Sequence, residues 1–242
     1  WPQDLSLPAF KLAMPVSNTS VYGCFFDTFA DRIKVRNPEL AIPKLKKILR
    51  ATFKISSRSG FHAMSLRDLC QEADLSMGGM YNYFGSKDEL SYMINQFVVD
   101  TLDGICHAVL PGMDDVEVRL EAMIRLAIYM GELFQPWYYF VLMEGKSLPK
   151  PQREAVKHYE SRNVDELRTL VEIGNASNLF HADNVALIST SILSLTQTWV
   201  LKHRDFQISS ISVQEYADFV VTSVRTLLNP SPSETEIVGL KA

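Results

Sequence analysis

Apolar residues along this chain recur mostly three and four positions apart, which is the spacing of one face of an α-helix. The pattern predicts ten helices, which cover residues 19–35, 43–57, 65–72, 76–83, 86–109, 114–134, 136–145, 151–173, 183–203 and 212–228. Ser86 and Ser212 each precede a Glu by three positions, which is the spacing of a capping box at a helix start. Pro, Gly and Asn separate the predicted helices. We therefore expect an all-α fold.

The lengths of the predicted helices divide the chain. Three short helices lie between residues 43 and 84, and longer helices follow. The second and third short helices are joined by a tight turn at 73–75, which is typical of a helix-turn-helix unit. We predict an N-terminal extension with a short amphipathic helix over 1–40, a three-helix helix-turn-helix domain over 41–91, and a larger helical domain for effector binding and dimerisation over 92–242.

The last of the three short helices contains two adjacent glycines, which is unusual for a packed helix. Gly78 and Gly79 each cost about 1 kcal/mol relative to alanine in a helix interior. Glycine does, however, let a backbone approach a neighbouring surface closely. Tyr81 and Tyr83 carry hydroxyls that can donate to phosphate oxygens, and Lys87 follows at the next helix start. These features favour a helix that contacts a nucleic acid.

The same helix offers groups for reading bases. We expect Met77, Gly78 and Asn82 to face base edges. Of these three, only Asn82 can make a bidentate hydrogen bond to adenine. Arg67, in the preceding helix, is either a phosphate contact or a solvated charge in a first helical turn.

The charge distribution supports a polyanionic partner on one side of the molecule. The formal net charge of the whole chain is −4. Residues 31–58, however, hold nine Lys and Arg against two acidic residues, a formal charge of +7, whereas residues 59–242 carry −10. A basic segment on an acidic body is typical of a chain that binds nucleic acid with one face. A solvated basic helix face explains the charge alone equally well.

The residues from Ser65 to Leu90, with the element Tyr-x-Tyr-Phe-x-Ser-Lys-x-x-Leu at 81–90, resemble the DNA-binding domain of the TetR family of transcriptional repressors. The resemblance covers about residues 43–91. The sequence departs from the family pattern at Asp74, where Gly is usual, and at Gly79, where Thr is common; Asp tolerates the left-handed turn that Gly would allow.

The resemblance implies a homodimer that places two recognition helices in successive major grooves of a palindromic DNA duplex, about 34–36 Å apart. The candidate DNA contacts are Ser65, Arg67, Ser76, Met77, Gly78, Gly79, Tyr81, Asn82, Tyr83 and Lys87. Basic residues at the end of the N-terminal extension and the start of the next domain form a candidate arm that follows a minor groove or phosphates; its members are Arg32, Lys34, Arg36 and Lys44. The aromatic residues of the same extension instead favour a buried amphipathic helix.

The two last long helices carry apolar stripes that fit a partner helix. By resemblance, these helices pair with their copies in a second subunit; plain core packing is the alternative. The candidate interface residues are Val185, Ile188, Ile192, Leu195, Trp199, Tyr216, Val220 and Val224.

The middle helices are rich in Met and aromatic residues, which is compatible with a cavity for a small apolar or amphipathic effector as well as with an ordinary core. The candidate effector contacts are Met123, Met130, Phe134, Trp137, Tyr138, Met143 and Trp199. The basic residues Lys146, Lys150 and Arg153 fit an anionic head group, as in a fatty acyl-CoA, or a solvated loop. By resemblance, effector binding would weaken the affinity for the operator.

Other classes of function find little support in the sequence. Cys24, Cys70 and Cys106 are widely spaced and without His partners, and no catalytic motif occurs, so we expect no enzyme activity, no metal and no cofactor. Residues 184–201 are uncharged but contain seven Ser, Thr or Gln, which is too polar for a membrane span. We expect a cytoplasmic protein without a signal peptide. A regulator controlled by a protein partner is the main alternative; a helical enzyme and a purely structural bundle are remote ones.

Overall fold

The computed structural model describes residues 3–14, 21–145 and 148–229. Within these ranges the chain is helical and contains no strand. The helices are α1 Leu7–Ala13, α2 Val21–Thr28, α3 Pro38–Ser59, α4 Leu66–Ala73, α5 Met77–Met80, α6 Lys87–Val109, α7 Val116–Leu133, α8 Gln135–Glu144, α9 Lys150–Ala176, α10 Val185–Leu201, α11 His203–Ile208 and α12 Val213–Leu228. The predicted all-α class, with an N-terminal helix-turn-helix, is confirmed.

The chain forms two compact units. The first, here called the head unit, consists of Lys11–Ala108 and Leu133–Tyr159. The second, the body unit, consists, within the described residues, of 3–10, Val109–Glu132 and 160–229. The head unit thus extends past the predicted domain limit at residue 91, and it includes α8 and the first turns of α9.

An aromatic cluster explains why α8 belongs to the head unit. The ring of Trp137 on α8 lies 5.1 Å from Phe53 on α3, 5.1 Å from Phe97 on α6 and 5.5 Å from Phe25 on α2. Phe140, one turn further along α8, packs edge-on against Phe61 at 5.2 Å. Buried rings of this size account for much of the stability of such a core.

A buried carboxylate adds a polar link between α8 and the end of α3. Glu144 is only 8% exposed, and its Oε1 accepts hydrogen bonds from the hydroxyl of Ser56 and the amide of Phe61, at 2.8 and 3.0 Å. Gly60, which lies between Ser56 and Phe61 in sequence, ends α3 with a φ of 81°, a value that residues with a side chain rarely adopt.

Helix α3 begins five residues earlier than the apolar pattern predicts. Asn37 caps it by accepting a hydrogen bond from the amide of Glu39 at 2.9 Å, and Pro38 occupies the first turn. Pro is favoured there because its missing amide hydrogen would have no helical partner. Pro43, one turn further on, also lies within the helix. The Asn-Pro pair therefore starts α3, whereas the apolar pattern alone placed the start at residue 43.

The N-terminal extension contains two short helices. Helix α1, which the sequence did not predict, inserts Phe10 against Tyr129 in the body unit, with 5.7 Å between ring centroids. Helix α2 ends at Thr28, so the predicted helix over 19–35 is too long. Phe29 and Ile33, which follow α2, are nevertheless buried.

Helices α10 and α12 pack against each other in the body unit. Trp199 stacks on Phe206 at 5.2 Å, and its indole N–H donates to the carboxylate of Glu132 at 3.0 Å. The hydroxyl of Tyr216 donates to the carbonyl of Leu195 across the α10–α12 contact, at 2.7 Å. Of the helices that the structure describes, none has the length and the apolar character to cross a membrane.

Candidate nucleic-acid interface

Caps fix both ends of α4 and the start of α5. Ser65 and Asp68 form a reciprocal capping box at the start of α4, so the hydroxyl of Ser65 is engaged within the protein. Asp74 ends α4 with φ 55° and ψ 54°, which confirms that Asp adopts the left-handed turn. Ser76 then caps α5 by accepting a hydrogen bond from the amide of Gly79 at 3.0 Å. These bonds hold α5 in a defined position relative to α4.

Helix α5 is a single turn that is anchored on one side and exposed on the other. Met80 is 1% exposed and packs into the head unit. Gly78 and Asn82 are exposed, and Tyr81 is 41% exposed. Met77 is half-buried, with its sulfur 3.3 Å from the sulfur of Cys70.

The two glycines of α5 have different surroundings. A Cβ at Gly79 would lie 3.2 Å from the capping hydroxyl of Ser76, so a side chain here would crowd the cap. A Cβ at Gly78 would meet no atom within 4 Å. The fold itself therefore makes no demand for glycine at position 78.

Tyr83 does not lie on the exposed face. It is 1% exposed, its buried hydroxyl has no hydrogen-bond partner in the described part of the chain, and this burial raises its pKa. Its assignment as a phosphate contact was wrong, because an aromatic residue two positions after Tyr81 falls on the inner side of the turn. Tyr81 alone of this pair presents its ring outward.

Lys87 also has a different role from the predicted one. Its ammonium donates to the backbone carbonyls of Phe61, His62 and Met64, at 3.2, 2.8 and 3.0 Å. The same ammonium lies 5.3 Å from the centre of the Phe61 ring. Because the three ammonium hydrogens bond to three carbonyls, Lys87 stabilises the loop between α3 and α4. Its assignment as a phosphate contact is therefore corrected.

The predicted basic arm is folded onto the head unit. Arg32 pairs with Glu89 at 3.8 Å and lies 5.2 Å from the centre of the Tyr92 ring. The guanidinium of Arg36 donates to the carbonyl of Ala30. Arg32 and Arg36 thus have partners within the chain, and the role of the arm as a minor-groove or phosphate contact stays a prediction. The backbone amide of Lys34 donates to the carbonyl of Asn82, and the side chain of Lys34 is exposed.

Acidic residues reduce the charge of the basic face of α3. Lys47 pairs with Asp74 at 3.2 Å, and Lys54 pairs with Glu72 at 2.5 Å. Lys44 and Arg50 are exposed on the same helix, as is Arg67 in the first turn of α4. The sequence missed these pairs because they join residues that are 18 and 27 positions apart.

The candidate effector residues do not form one site within either unit. Phe134 and Trp137 are core residues of the head unit, whereas Met130 and Trp199 are core residues of the body unit. Met143 is 51% exposed, and Met123 and Tyr138 are half-buried. Large aromatic residues and Met fill interiors as readily as they line pockets, so this composition could not separate core from pocket.

Most of the predicted dimer residues lie inside the body unit. Ile192, Trp199, Tyr216, Val220 and Val224 are each at most 5% exposed. Such residues pack α10 against α12 within one chain, so their assignment to a subunit interface is corrected. The remaining predicted residues, Val185, Ile188 and Leu195, are half-buried.

The opposite faces of α10 and α12 carry exposed apolar residues instead. Leu187 and Leu201 on α10 are 65% and 42% exposed, and Phe219 and Leu227 on α12 are 61% and 45% exposed. Small polar residues, among them Ser191 and Ser194, lie between the leucines of α10.

Of the predicted basic loop after α8, Lys146 lies outside the described residues. Lys150 is the first residue of α9, and the guanidinium of Arg153 lies 3.4 Å from the carbonyl oxygen of Leu148. Within the described ranges, no three His, Cys, Asp or Glu side chains are placed to hold a metal ion.

Comparisons with known proteins point to one family. Residues 48–91 match the family model described as "Bacterial regulatory proteins, tetR family". The chain is 23% identical over 184 residues to the HTH-type transcriptional regulator HbdR of Aromatoleum sp. strain CIB, covering 76% of this chain and 80% of the relative. It is 42% identical over 45 residues to the HTH-type transcriptional repressor KstR of Mycolicibacterium smegmatis, covering 19% of this chain and 22% of that relative.

A solved structure shares the fold. The ketosteroid transcriptional regulator KstR2 of Mycobacterium tuberculosis superposes with a TM-score of 0.68 at 16% identity, covering 77% of this chain and 95% of the other.

Proposed function

We propose that this chain, whose residues 48–91 match the tetR family model, is a DNA-binding transcriptional regulator of the TetR family that acts as a homodimeric repressor and that a small-molecule effector releases from a palindromic operator. The observation that carries the proposal is the exposed face of α5. Gly78 on that face is not required by the fold, and its neighbours Tyr81 and Asn82 present polar groups outward. DNA packed against this face, through its phosphate ridge or the wall of a groove, would account for a glycine at a position where the fold leaves room for a side chain.

The roles on this face follow from the chemistry of each group. Asn82 is suited to a bidentate hydrogen bond to adenine, and Met77 and Gly78 to apolar and close backbone contact with bases. Tyr81 and Arg67 are suited to phosphate oxygens, which position the protein without reading sequence. Ser65 and Ser76 act as helix caps that hold the contacting segments, and their exposed helix starts favour phosphate.

We place the subunit interface on the exposed faces of α10 and α12. Leu187, Leu201, Phe219 and Leu227 form an apolar surface that a second copy of the same helices would cover. The small side chains of Ser191 and Ser194 allow two α10 helices to approach closely. Phe219→Glu tests this placement: sedimentation should show monomers where the parent chain gives dimers, with helical content unchanged.

Repression is supported by the similarity to KstR, which is named a transcriptional repressor. Effector control is what the resemblance to the TetR family implies. Repression is favoured because a dimer that occupies two successive major grooves also blocks access to the duplex. A fatty acyl-CoA is the less favoured effector, since the aromatic residues expected to line an apolar channel are packed in the cores. The alternative, a regulator without a small-molecule effector, would bind a protein partner instead.

The test is selection of random DNA duplexes by the purified protein, repeated with Asn82→Ala. We expect a palindrome, with relaxed preference at one position per half-site and a loss of about 1–3 kcal/mol there for the variant. Adding small-molecule extract should then release the selected duplex. Binding without any sequence preference, or an Asn82→Ala variant with unchanged preference, would contradict the proposed contacts.

A further inference from the structure

A small cavity in the head unit lies between α6 and the first turns of α9. Its volume is about 140 Å³. Asn95 and Val99 line it from α6, and Gln152 and Val156 line it from α9. It contains none of the aromatic residues that the sequence suggested as effector contacts.

Two residues of this cavity each have a buried side-chain oxygen that finds no hydrogen-bond partner among the residues that the structure describes. Asn95 is 3% exposed; its amide N–H donates to the carbonyl of Ser91 at 2.8 Å, whereas its Oδ1 is unpaired. The Oε1 atom of Gln152 is likewise buried and unpaired. A buried acceptor without a donor is costly and uncommon in native proteins. Two of them on one cavity indicate that a donor is supplied from elsewhere.

The walls define the chemical class of that donor. None of the described residues that line the cavity is charged at neutral pH, so a charged ligand would lack an ion-pair partner among them. Both unpaired atoms are acceptors, which disfavours a carboxylate. Val99 and Val156 offer apolar contact. At about 30 Å³ per water molecule, the cavity has room for roughly five to eight non-hydrogen atoms.

We propose that this cavity binds a short, neutral aliphatic molecule with an N–H₂ donor, of the class of the primary carboxamides. The two amide hydrogens face the side-chain oxygens of Asn95 and Gln152, and the alkyl group lies against the valines. This inference rests on the proposed function where it assigns the ligand a regulatory role. Asn95 lies two turns along α6 from Lys87, which holds the loop before α4, so α6 connects the cavity to the DNA-binding elements.

The experiment compares isobutyramide with isobutyrate, which has the same shape but no N–H₂ donor. Each is titrated to roughly 10 mM against the full-length chain without DNA, because a ligand of this size binds at best in the micromolar range. We expect isobutyramide, and not isobutyrate, to raise the melting temperature and to give a saturable heat of binding. Equal responses to both compounds, or no response to either, would overturn the proposal.

Two variants test the residue assignment. Asn95→Leu removes the unpaired oxygen, so it should raise the melting temperature of the ligand-free chain by about 2–4 °C and abolish the response to isobutyramide. The control is Asn175→Leu, because both ends of the Asn175 side chain bond to Ala182, at 3.0 Å each. This control should lower the melting temperature and keep the response. A destabilised Asn95→Leu that still responds to the amide would contradict the assignment.

Operator binding is measured separately in the presence of isobutyramide. Release of the duplex supports the regulatory role. Saturable binding of isobutyramide without any change in operator affinity supports the cavity and contradicts its role as the effector site. A chain that binds the amide but no duplex contradicts the proposed function and leaves the cavity assignment supported.

Discussion

The backbone amide of Lys34 donates a hydrogen bond of 2.9 Å to the carbonyl oxygen of Asn82. This bond joins the N-terminal extension to the last residues of the recognition segment. Ile33, next to it, is fully buried, so the extension is fixed at this point. The exposed side chain of Lys34 therefore lies close in space to the proposed base-reading residue, although 48 positions separate the two in sequence.

We expect Lys34→Gln to weaken binding to all duplexes alike. The side chain is exposed beside Asn82, where a phosphate would approach. Measured as affinity against salt concentration, the slope should fall by about 0.9 for each subunit. Lys202→Gln is the control, since it removes the same charge from the body unit and should leave the slope unchanged. Equal slopes for Lys34→Gln and the parent chain would exclude the contact.

Gly78→Ala should separate folding from DNA binding. A Cβ at Gly78 meets nothing within 4 Å, so alanine should raise the free energy of unfolding by up to about 1 kcal/mol. DNA affinity should nevertheless decrease, because the methyl group occupies the space that the duplex needs. Gly104→Ala in α6 is the matched control: its Cβ is equally unobstructed, and we expect added stability with unchanged affinity. Chemical denaturation and a binding titration measure both quantities.

Removal of a hydroxyl should have different effects at Tyr81 and Tyr83. Tyr81→Phe removes an exposed donor, and we expect several-fold weaker binding to every duplex with unchanged stability. Tyr83→Phe removes a buried hydroxyl that has no partner, so stability should stay equal or rise and DNA binding should not change. If Tyr83→Phe lost affinity and Tyr81→Phe did not, the assignment of the two residues would be reversed.

Lys87→Met should act on stability. The loss of three hydrogen bonds to backbone carbonyls should lower the free energy of unfolding by about 1–3 kcal/mol. The salt dependence of DNA binding, measured at a temperature where the variant is folded, should match that of the parent chain. Lys44→Met, at an exposed position of α3, should leave stability within about 0.5 kcal/mol. A reduced salt slope for Lys87→Met, without a change in stability, would instead support the assignment of Lys87 as a phosphate contact.

The capping box of α12 should make stability depend on pH. The hydroxyl and the amide of Ser212 donate to the carboxylate of Glu215 and hold its pKa below the ordinary value of 4.5. Because the folded pKa is the lower one, this stabilisation is present above pH 4.5 and is lost as pH falls through the folded pKa. The stability difference between the parent chain and Glu215→Gln, measured by urea unfolding, should therefore shrink on acidification. A difference that is constant with pH would contradict the pairing.

Local sequence signals predicted the helix-turn-helix well. The capping box at Ser212 and the left-handed conformation of Asp74 depend on short stretches of chain, and the structure confirms both. The box expected at Ser86 is only half formed: Ser86 accepts from the amide of Glu89, while that carboxylate accepts from the amide of Gly85. The residue types that cap helices thus closely specify where the helices begin and end.

The errors concern the side of a helix on which a residue falls and its distant partners. Tyr83 and Lys87 follow the recognition helix so closely that their chemistry suggested DNA, yet one is buried and the other binds carbonyls that lie 23 to 26 positions earlier. For Trp199 and Val220, an apolar stripe could not indicate whether its partner belongs to the same chain or to a second copy. These distinctions depend on tertiary packing, which helical periodicity does not contain.

The position of Trp137 limits how this protein can be dissected. A fragment cut after residue 91, such as one grafted onto another scaffold to transfer operator choice, would lack α8 and leave Phe25 and Phe53 exposed to water. Such a fragment would also lack Glu144, so the amide of Phe61 would lose its hydrogen-bond acceptor. A chimera that transfers operator recognition must therefore carry α8 together with the helix-turn-helix.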